Sequence, residues 1–305
     1  MREIAGRSPV PGRPASSGPA VWLTDASLFL MAMIWGVNFV VVKFATGVLP
    51  PLAFNAMRVS LAAAVHMIIA SVRSTPWPDR PRTLALLGLG VLGNGLYQVL
   101  FISGVSRTRA GDAALLIAAT PAFIALIGRL RGVERVGGKG WIGILLSIAG
   151  IGLVSGAAAF TQTSGALAGD LMILGGALCW ALYTVLLKPR MGDVDGIKLS
   201  ALTMVGGAVA LDLLSWRDVM ATQWSAAPPA AYAAMLFSGV GALVIAYLFW
   251  YRGVRILGPT RTAMYSNLQP IFAVLVAWLV LREVPTPWQG VGAASIMSGL
   301  VLARS

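Results

Sequence analysis

Apolar residues run along this chain in long blocks, and short polar or Pro/Gly-rich stretches cut the blocks apart. A bilayer core of roughly 30 Å takes about 20 apolar residues of helix. Ten blocks reach or approach that length: 25–43, 51–71, 84–104, 110–128, 139–157, 168–187, 197–215, 230–251, 259–280 and 287–303. The stretches between them include "STPWPDRP" at 74–81, "VGGKG" at 136–140, "AAPP" at 226–229 and "VPTP" at 284–287, where Pro and Gly interrupt helices. The pattern predicts an all-α integral membrane protein with ten transmembrane helices. The shortest connections, around residues 45 and 105, predict antiparallel hairpins.

Composition supports this reading. Hydrophobic residues make up 57% of the 305 positions and charged residues only 11%. A soluble domain carries about 25% charged residues, so this chain could not clothe a soluble surface of its size. The net charge of +12 is explained by where the cations fall. With ten spans, 17 of the 23 Lys and Arg lie on the side of the N-terminus, five lie on the other, and Arg58 falls inside the second span. Basic loops stay cytoplasmic, so both termini are expected inside a bacterial inner membrane. No basic patch alternates with stackable aromatics, and nucleic acid is not an expected partner. Cys179 is the single cysteine. It has no disulfide partner and no metal-ligand spacing around it, and neither metal nor cofactor is expected. Residues 1–22 begin rich in Pro, Gly, Ser and Arg and are expected to form a disordered cytoplasmic tail.

The blocks also repeat. "WGVNFVVVK" at 35–43 returns as "WALYTVLLK" at 180–188, an offset of 145. "ATPAFIALIGRLRGVERV" at 119–136 returns as "LQPIFAVLVAWLVLREVP" at 268–285, an offset of 149. In that register Pro121 falls on Pro270, Glu134 on Glu283 and Gly150 on Gly299. A five-helix unit is therefore expected twice, as residues 23–157 and 167–303. Five is odd, so the second copy enters the membrane in the opposite sense, and a substrate site is expected near the midplane between the copies.

These features resemble the EamA family of the drug/metabolite transporter superfamily. The resemblance rests on the Trp35-Gly36-Val37-Asn38 run in the first span and on Pro51 opening the second, with Arg58 following. Paired mid-span prolines, each leading to an x-Glu end, and Gly-rich closing helices complete it. It covers about residues 25–303. It implies a ten-helix exporter of amino acids or other small metabolites, with the YddG-like amino-acid exporters closest in architecture. Carriers of nucleosides, nucleotide sugars or lipids share that architecture and stay open as alternatives.

Polar side chains at mid-depth are costly against lipid and normally face the bundle interior. Trp35 with Asn38, and Trp180 with Tyr183, sit at matching places in the first and sixth spans. Each Trp either lines a pocket or packs into a crevice between helices. In the third span Asn94, Tyr97, Gln98 and Phe101 share one helical face. Tyr247 is the counterpart in the eighth, where Trp250 and Tyr251 read as an interfacial belt. Tyr265, Gln269 and Phe272 align in the ninth, and Thr120 takes the place of Gln269 in the fourth. Pro121 and Pro270 are expected to remove a mid-helix hydrogen bond, as hinges or as static kinks. The substrate set is thus Trp35, Asn38, Asn94, Tyr97, Gln98, Thr120, Trp180, Tyr183, Tyr247, Tyr265 and Gln269. The expected partners are a small-molecule substrate and the lipid bilayer, around a monomer or weak homo-oligomer.

All eleven acidic residues are expected in loops, tails or the last turn or so of a span, none near a midplane, leaving Arg58 as the deep ionisable group. Arg58 either clamps a backbone carbonyl or neighbouring helix end, or meets a substrate carboxylate. His66 reads as packing or, failing that, as a proton relay. No zincin, nucleophile-elbow or Walker A motif is present, so no enzyme is expected, and ATP cannot drive this chain alone. A channel lacks its ring of charges, and a non-transporting scaffold is the remaining rival.

Overall fold

The computed structural model describes residues 19–131, 137–161, 165–192, 194–257, 262 and 265–304. Most of the expected tail, residues 1–18, lies outside them, as do Glu134 and Arg261. Helix α1 spans Pro19–Val48 and α2 spans Pro51–Ser71. α3 is Arg80–Arg107 and α4 is Ala110–Leu130. α5 is Gly138–Thr161, α6 Ala166–Met191 and α7 Gly196–Ala221. α8 comprises Pro229–Leu236, Phe237–Ile245 and Ala246–Ile256. α9 ends in Gln269–Leu281, and α10 is Pro287–Arg304. Seven of these are long and apolar enough to cross a membrane, and two shorter apolar helices lie at Gly138–Val154 and Gln269–Leu281. Large side chains such as Ile68, Leu213 and Trp278 point outward, as hydrocarbon requires.

Local chemistry sets the helix starts. Pro51 and Pro229 occupy the first helical position, where the missing N–H would have no partner anyway. Asp195 accepts from the amides of Ile197 and Lys198 at the start of α7.

The two expected hairpins form, but the packing lies elsewhere. Leu49–Pro50 and Thr108–Arg109 do join antiparallel neighbours, yet consecutive helices touch little. The extensive seams run between the two halves: α5 with α10, α2 with α7, α3 with α6, and α1 with α8 and α9. The inversion is visible in these seams. A side chain at Gly150 would meet the Gly292 carbonyl at 2.8 Å, while Gly299 is pressed as closely on Gly143. Each pair carries the other's register, since 143 and 150 map onto 292 and 299. Likewise Gly104 packs on Ile173, and its counterpart Gly253 packs on Leu28. Small residues let membrane helices approach where there is no hydrophobic drive between them.

The ends of the bundle are marked by polar contacts. At the Leu49 end, Lys43 donates to the Ser106 carbonyl (3.1 Å) and Arg109 pairs with Glu283 (3.8 Å). At the opposite, Arg73 end, Lys198 donates to the Thr75 carbonyl. Asp170, near the start of α6, accepts from Thr108 (2.6 Å). α6 therefore starts at the Leu49 end, where its counterpart α1 finishes.

Two pairs of irregularities also match. α3 contains a π-helical stretch at Val91–Leu96, and α8 contains one at Phe237–Ile245. α4 breaks after Ile117 and resumes at Thr120. α9 turns at 267–268 and resumes at Gln269. The amide of Ala119 donates to Leu116 (3.2 Å), and its mate Leu268 donates to Tyr265 (3.0 Å). Pro121 and Pro270 thus stand in the first turn of a new half-helix. Contrary to expectation they remove no mid-helix hydrogen bond, because an N–H in a first turn has none to lose.

Candidate functional site

Between the halves lies a cavity with about 90 Å³ open to water. α1, α3, α4, α6, α8 and α9 contribute to its wall, joined by Arg58 from α2. Three matched pairs face it: Trp35 with Trp180, Gln98 with Tyr247, and Thr120 with Gln269. Tyr97, Asn38 and Pro121 complete the expected residues that reach it.

The aromatic wall is continuous. Trp180 stacks at a tilt on Tyr97 and Tyr183, each at 5.2 Å between ring centres, and meets Tyr247 edge-on at 5.8 Å. Tyr247 meets Trp35 edge-on at 5.9 Å, and Trp35 leans on Trp250 at 5.8 Å. The open question about the tryptophans resolves into both roles: each lines the cavity and packs. The Trp35 indole N–H also donates to the Ala242 carbonyl (2.9 Å), inside the π-helical stretch of α8.

Arg58 is fully buried. Its Nε donates to Asn55 Oδ1 (3.0 Å), one terminal nitrogen to Ser238 Oγ (2.7 Å) and the other to Gln98 Oε1 (2.6 Å). Its guanidinium carbon lies 5.8 Å from the ring centres of Phe54 and Phe101. The expected backbone clamp is replaced by three neutral side chains. No ion pair to Arg58 exists among the described residues, and no cavity-lining residue is acidic. An Arg at the centre of a membrane helix costs about 2.5–3.5 kcal/mol on insertion scales. Here three hydrogen bonds and two ring faces offset that cost without neutralising the charge.

Three expected site residues do not line the cavity. Asn94 is fully buried and accepts from the Tyr247 hydroxyl (3.2 Å), holding that ring from behind. Tyr183 lies behind Trp180, its hydroxyl 3.3 Å from that of Tyr251. Tyr265 is half-buried on the α9 turn. Residues outside the expected set also reach the cavity. Trp250, expected in an interfacial belt, is 9% exposed and lines the wall. Ser266, Phe39 and Ile124 also line it. Asn38 Oδ1 is buried and has no hydrogen-bond partner.

Of the acidic residues, Asp112 and Asp170 keep to the end of a span, as expected, while Asp212 stands deeper in its helix. Asp112 is buried in the first turn of α4 and accepts from Gln289 (2.7 Å). Asp170 is fully buried in α6. Asp212 stands nine residues before the end of α7, on the outward face, accepting from Ser60 (2.8 Å). These carboxylates sit within helices because hydroxyl and amide donors from neighbouring segments meet them there. His66 does not reach the cavity. Its Nδ1–H donates to the Ala62 carbonyl (2.9 Å) on its own helix, while Nε2 has no partner.

A cavity lined from two inverted, interlocked halves is the arrangement of a multi-pass membrane transporter. Residues 22–156 and 167–305 each match the EamA-like transporter family, and the chain belongs to that family. It is 28% identical over 274 residues to the uncharacterized transporter YyaM of Bacillus subtilis, covering 88% of this chain and 89% of the relative. It is also 28% identical over 287 residues to a probable terminal-alkyne amino-acid exporter of Streptantibioticus cattleyicolor, covering 93% and 92%. A crystal structure 20% identical to this chain shares its fold, with a TM-score of 0.59 over 92% of this chain and 96% of the other.

Proposed function

We propose that this protein is a secondary transporter that exports amino acids, or similar small metabolites, across the bacterial inner membrane by alternating access. The carrying observation is that the cavity wall is built from three symmetry-matched helix pairs, α1/α6, α3/α8 and α4/α9. Inverted repeats of one packing can exchange conformations, so that the site opens to one side and then the other. The discontinuity of α4 and α9 at the wall supports this, since broken helices mark midplane sites in such folds. Aromatic faces with a few amide groups suit a small amphipathic solute, and one relative carries an amino-acid exporter's name. In this reading the Arg73 end is cytoplasmic, with both termini, and the protein works as a monomer or weak homo-oligomer without nucleic acid.

The test is flux from proteoliposomes loaded in turn with radiolabelled amino acids, nucleosides and nucleotide sugars. Export of neutral amino acids with a bulky apolar side chain is expected. Movement of a nucleotide sugar or lipid with no amino-acid flux would sink the reading.

A further inference from the structure

A guanidinium has five N–H donors. Three of those of Arg58 are taken by Asn55, Ser238 and Gln98. Two remain, on terminal nitrogens of a fully buried side chain that borders the cavity. Every partner it has is neutral. Across the same cavity, Asn38 is 6% exposed and its Oδ1 accepts from nothing. Buried donors and acceptors are normally satisfied, so a cationic side chain with two spare donors and an amide with a lone acceptor, both on residues that line one cavity, describe a ligand's complement.

We infer that Arg58 is a carboxylate subsite, so that the transported solute must carry an anionic head, while Asn38 receives its amine. This deepens the proposed amino-acid transport and rests on it. The two ends of the head are read unequally. The carboxylate meets a full positive charge through N–H donors in planar, paired geometry, the arrangement that makes Arg–carboxylate contacts strong. The ammonium meets an amide oxygen and aromatic faces, with no counter-charge in the lining. Removing the carboxylate therefore costs far more than removing the amine. Cationic amines without an acid group are excluded, because they would bring a second positive charge beside Arg58.

Matched ligands on the unaltered protein give the primary test, because Arg58→Gln also removes structural hydrogen bonds. The full chain is purified in detergent, and Tm is measured with leucine, leucinamide and 4-methylpentanoate, and with the corresponding phenylalanine series. The amino acids and deaminated acids are expected to raise Tm. The amides should need at least about tenfold higher concentration for the same shift. In proteoliposomes the same acids should compete for flux and the amides should not. Amides acting as well as acids, or no ligand shifting Tm, would overturn the subsite even if amino acids are exported. Discrimination of acid from amide in Tm without any amino-acid flux would uphold the subsite and sink the exporter reading. Arg58→Lys, which keeps the charge but not the fork, should retain the preference for acids at reduced affinity. Arg58→Gln should lose the preference.

Discussion

In α2 Arg58 reaches the cavity wall; at the corresponding place in α7, seven residues into the helix, stands Thr203. The Thr203 hydroxyl turns back onto its own helix, to the carbonyls of Leu199 (3.0 Å) and Ser200 (3.2 Å). No residue of α7 lines the cavity. Three residue pairs are matched where the halves meet the cavity, as are the π-helical stretches and the broken helices. The difference separates two tasks. Symmetry supplies the frame, because one packing solution used twice gives two related conformations. Asymmetry supplies the charge, because a second buried Arg at 203 would repel the first and leave two uncompensated cations.

The largest expected effect comes from breaking that difference. Arg58→Gln should lower kcat/KM for amino-acid flux by about thirtyfold or more, the scale of roughly 2–5 kcal/mol for removing one partner of a buried charge contact. Thr203→Val should change it by less than about threefold. Equal effects in a flux assay would show that charge placement is not what distinguishes the halves. The seams should behave in the opposite way. Gly150→Val and Gly299→Val press an added side chain on equivalent backbone, and overpacking costs about 1–3 kcal/mol. Both should lower Tm in detergent by similar amounts, and a large inequality between them would argue against the matched register.

Much of this frame was legible in the sequence. The limits expected for α2, 51–71, match the helix, and the 145 and 149 offsets recur in the seams. The site was less legible, for a physical reason. Helical wheels assume 3.6 residues per turn, and both π-helical stretches break that period. Asn94 lies inside the first stretch, so it parts from Tyr97, Gln98 and Phe101, which keep one face. Trp250 keeps the face of Tyr247, as its i, i+3 spacing gives, and the belt reading missed it because it rested on depth along α8 alone. Gln269 and Tyr265 separate because α9 turns between them. Of the partners of Arg58, only Asn55 lies in α2, three residues before it; Gln98 and Ser238 come from α3 and α8, which no periodicity within α2 names.

The tryptophans offer a smaller contrast. Trp35 and Trp180 are equivalent by register, yet Trp35 donates to Ala242 and no such bond from Trp180 is present among the described residues. Trp35→Phe should cost about 1 kcal/mol of stability beyond Trp180→Phe, the net worth of one hydrogen bond. Equal losses of Tm would mean that the bond adds nothing to holding the α8 stretch.

The smallest effect should come from a charge of the other kind. Glu283 lies at the Leu49 end, partly exposed, 3.8 Å from Arg109 and 3.3 Å from the amide of Ala110 at the start of α4. Water and salt screen it, and exposed pairs of this kind are worth about 0.2–1 kcal/mol. Glu283→Gln should therefore lower Tm only slightly. The deficit should shrink further as salt rises to about 1 M, where screening acts over about 3 Å. Arg58 is fully buried, so the loss of flux caused by Arg58→Gln should persist across the same salt range. Measuring both variants at low and high salt places the two charges on opposite sides of one criterion. A salt-sensitive Arg58 effect would mean that its charge is felt through open solvent, and the protected carboxylate subsite would have to be abandoned.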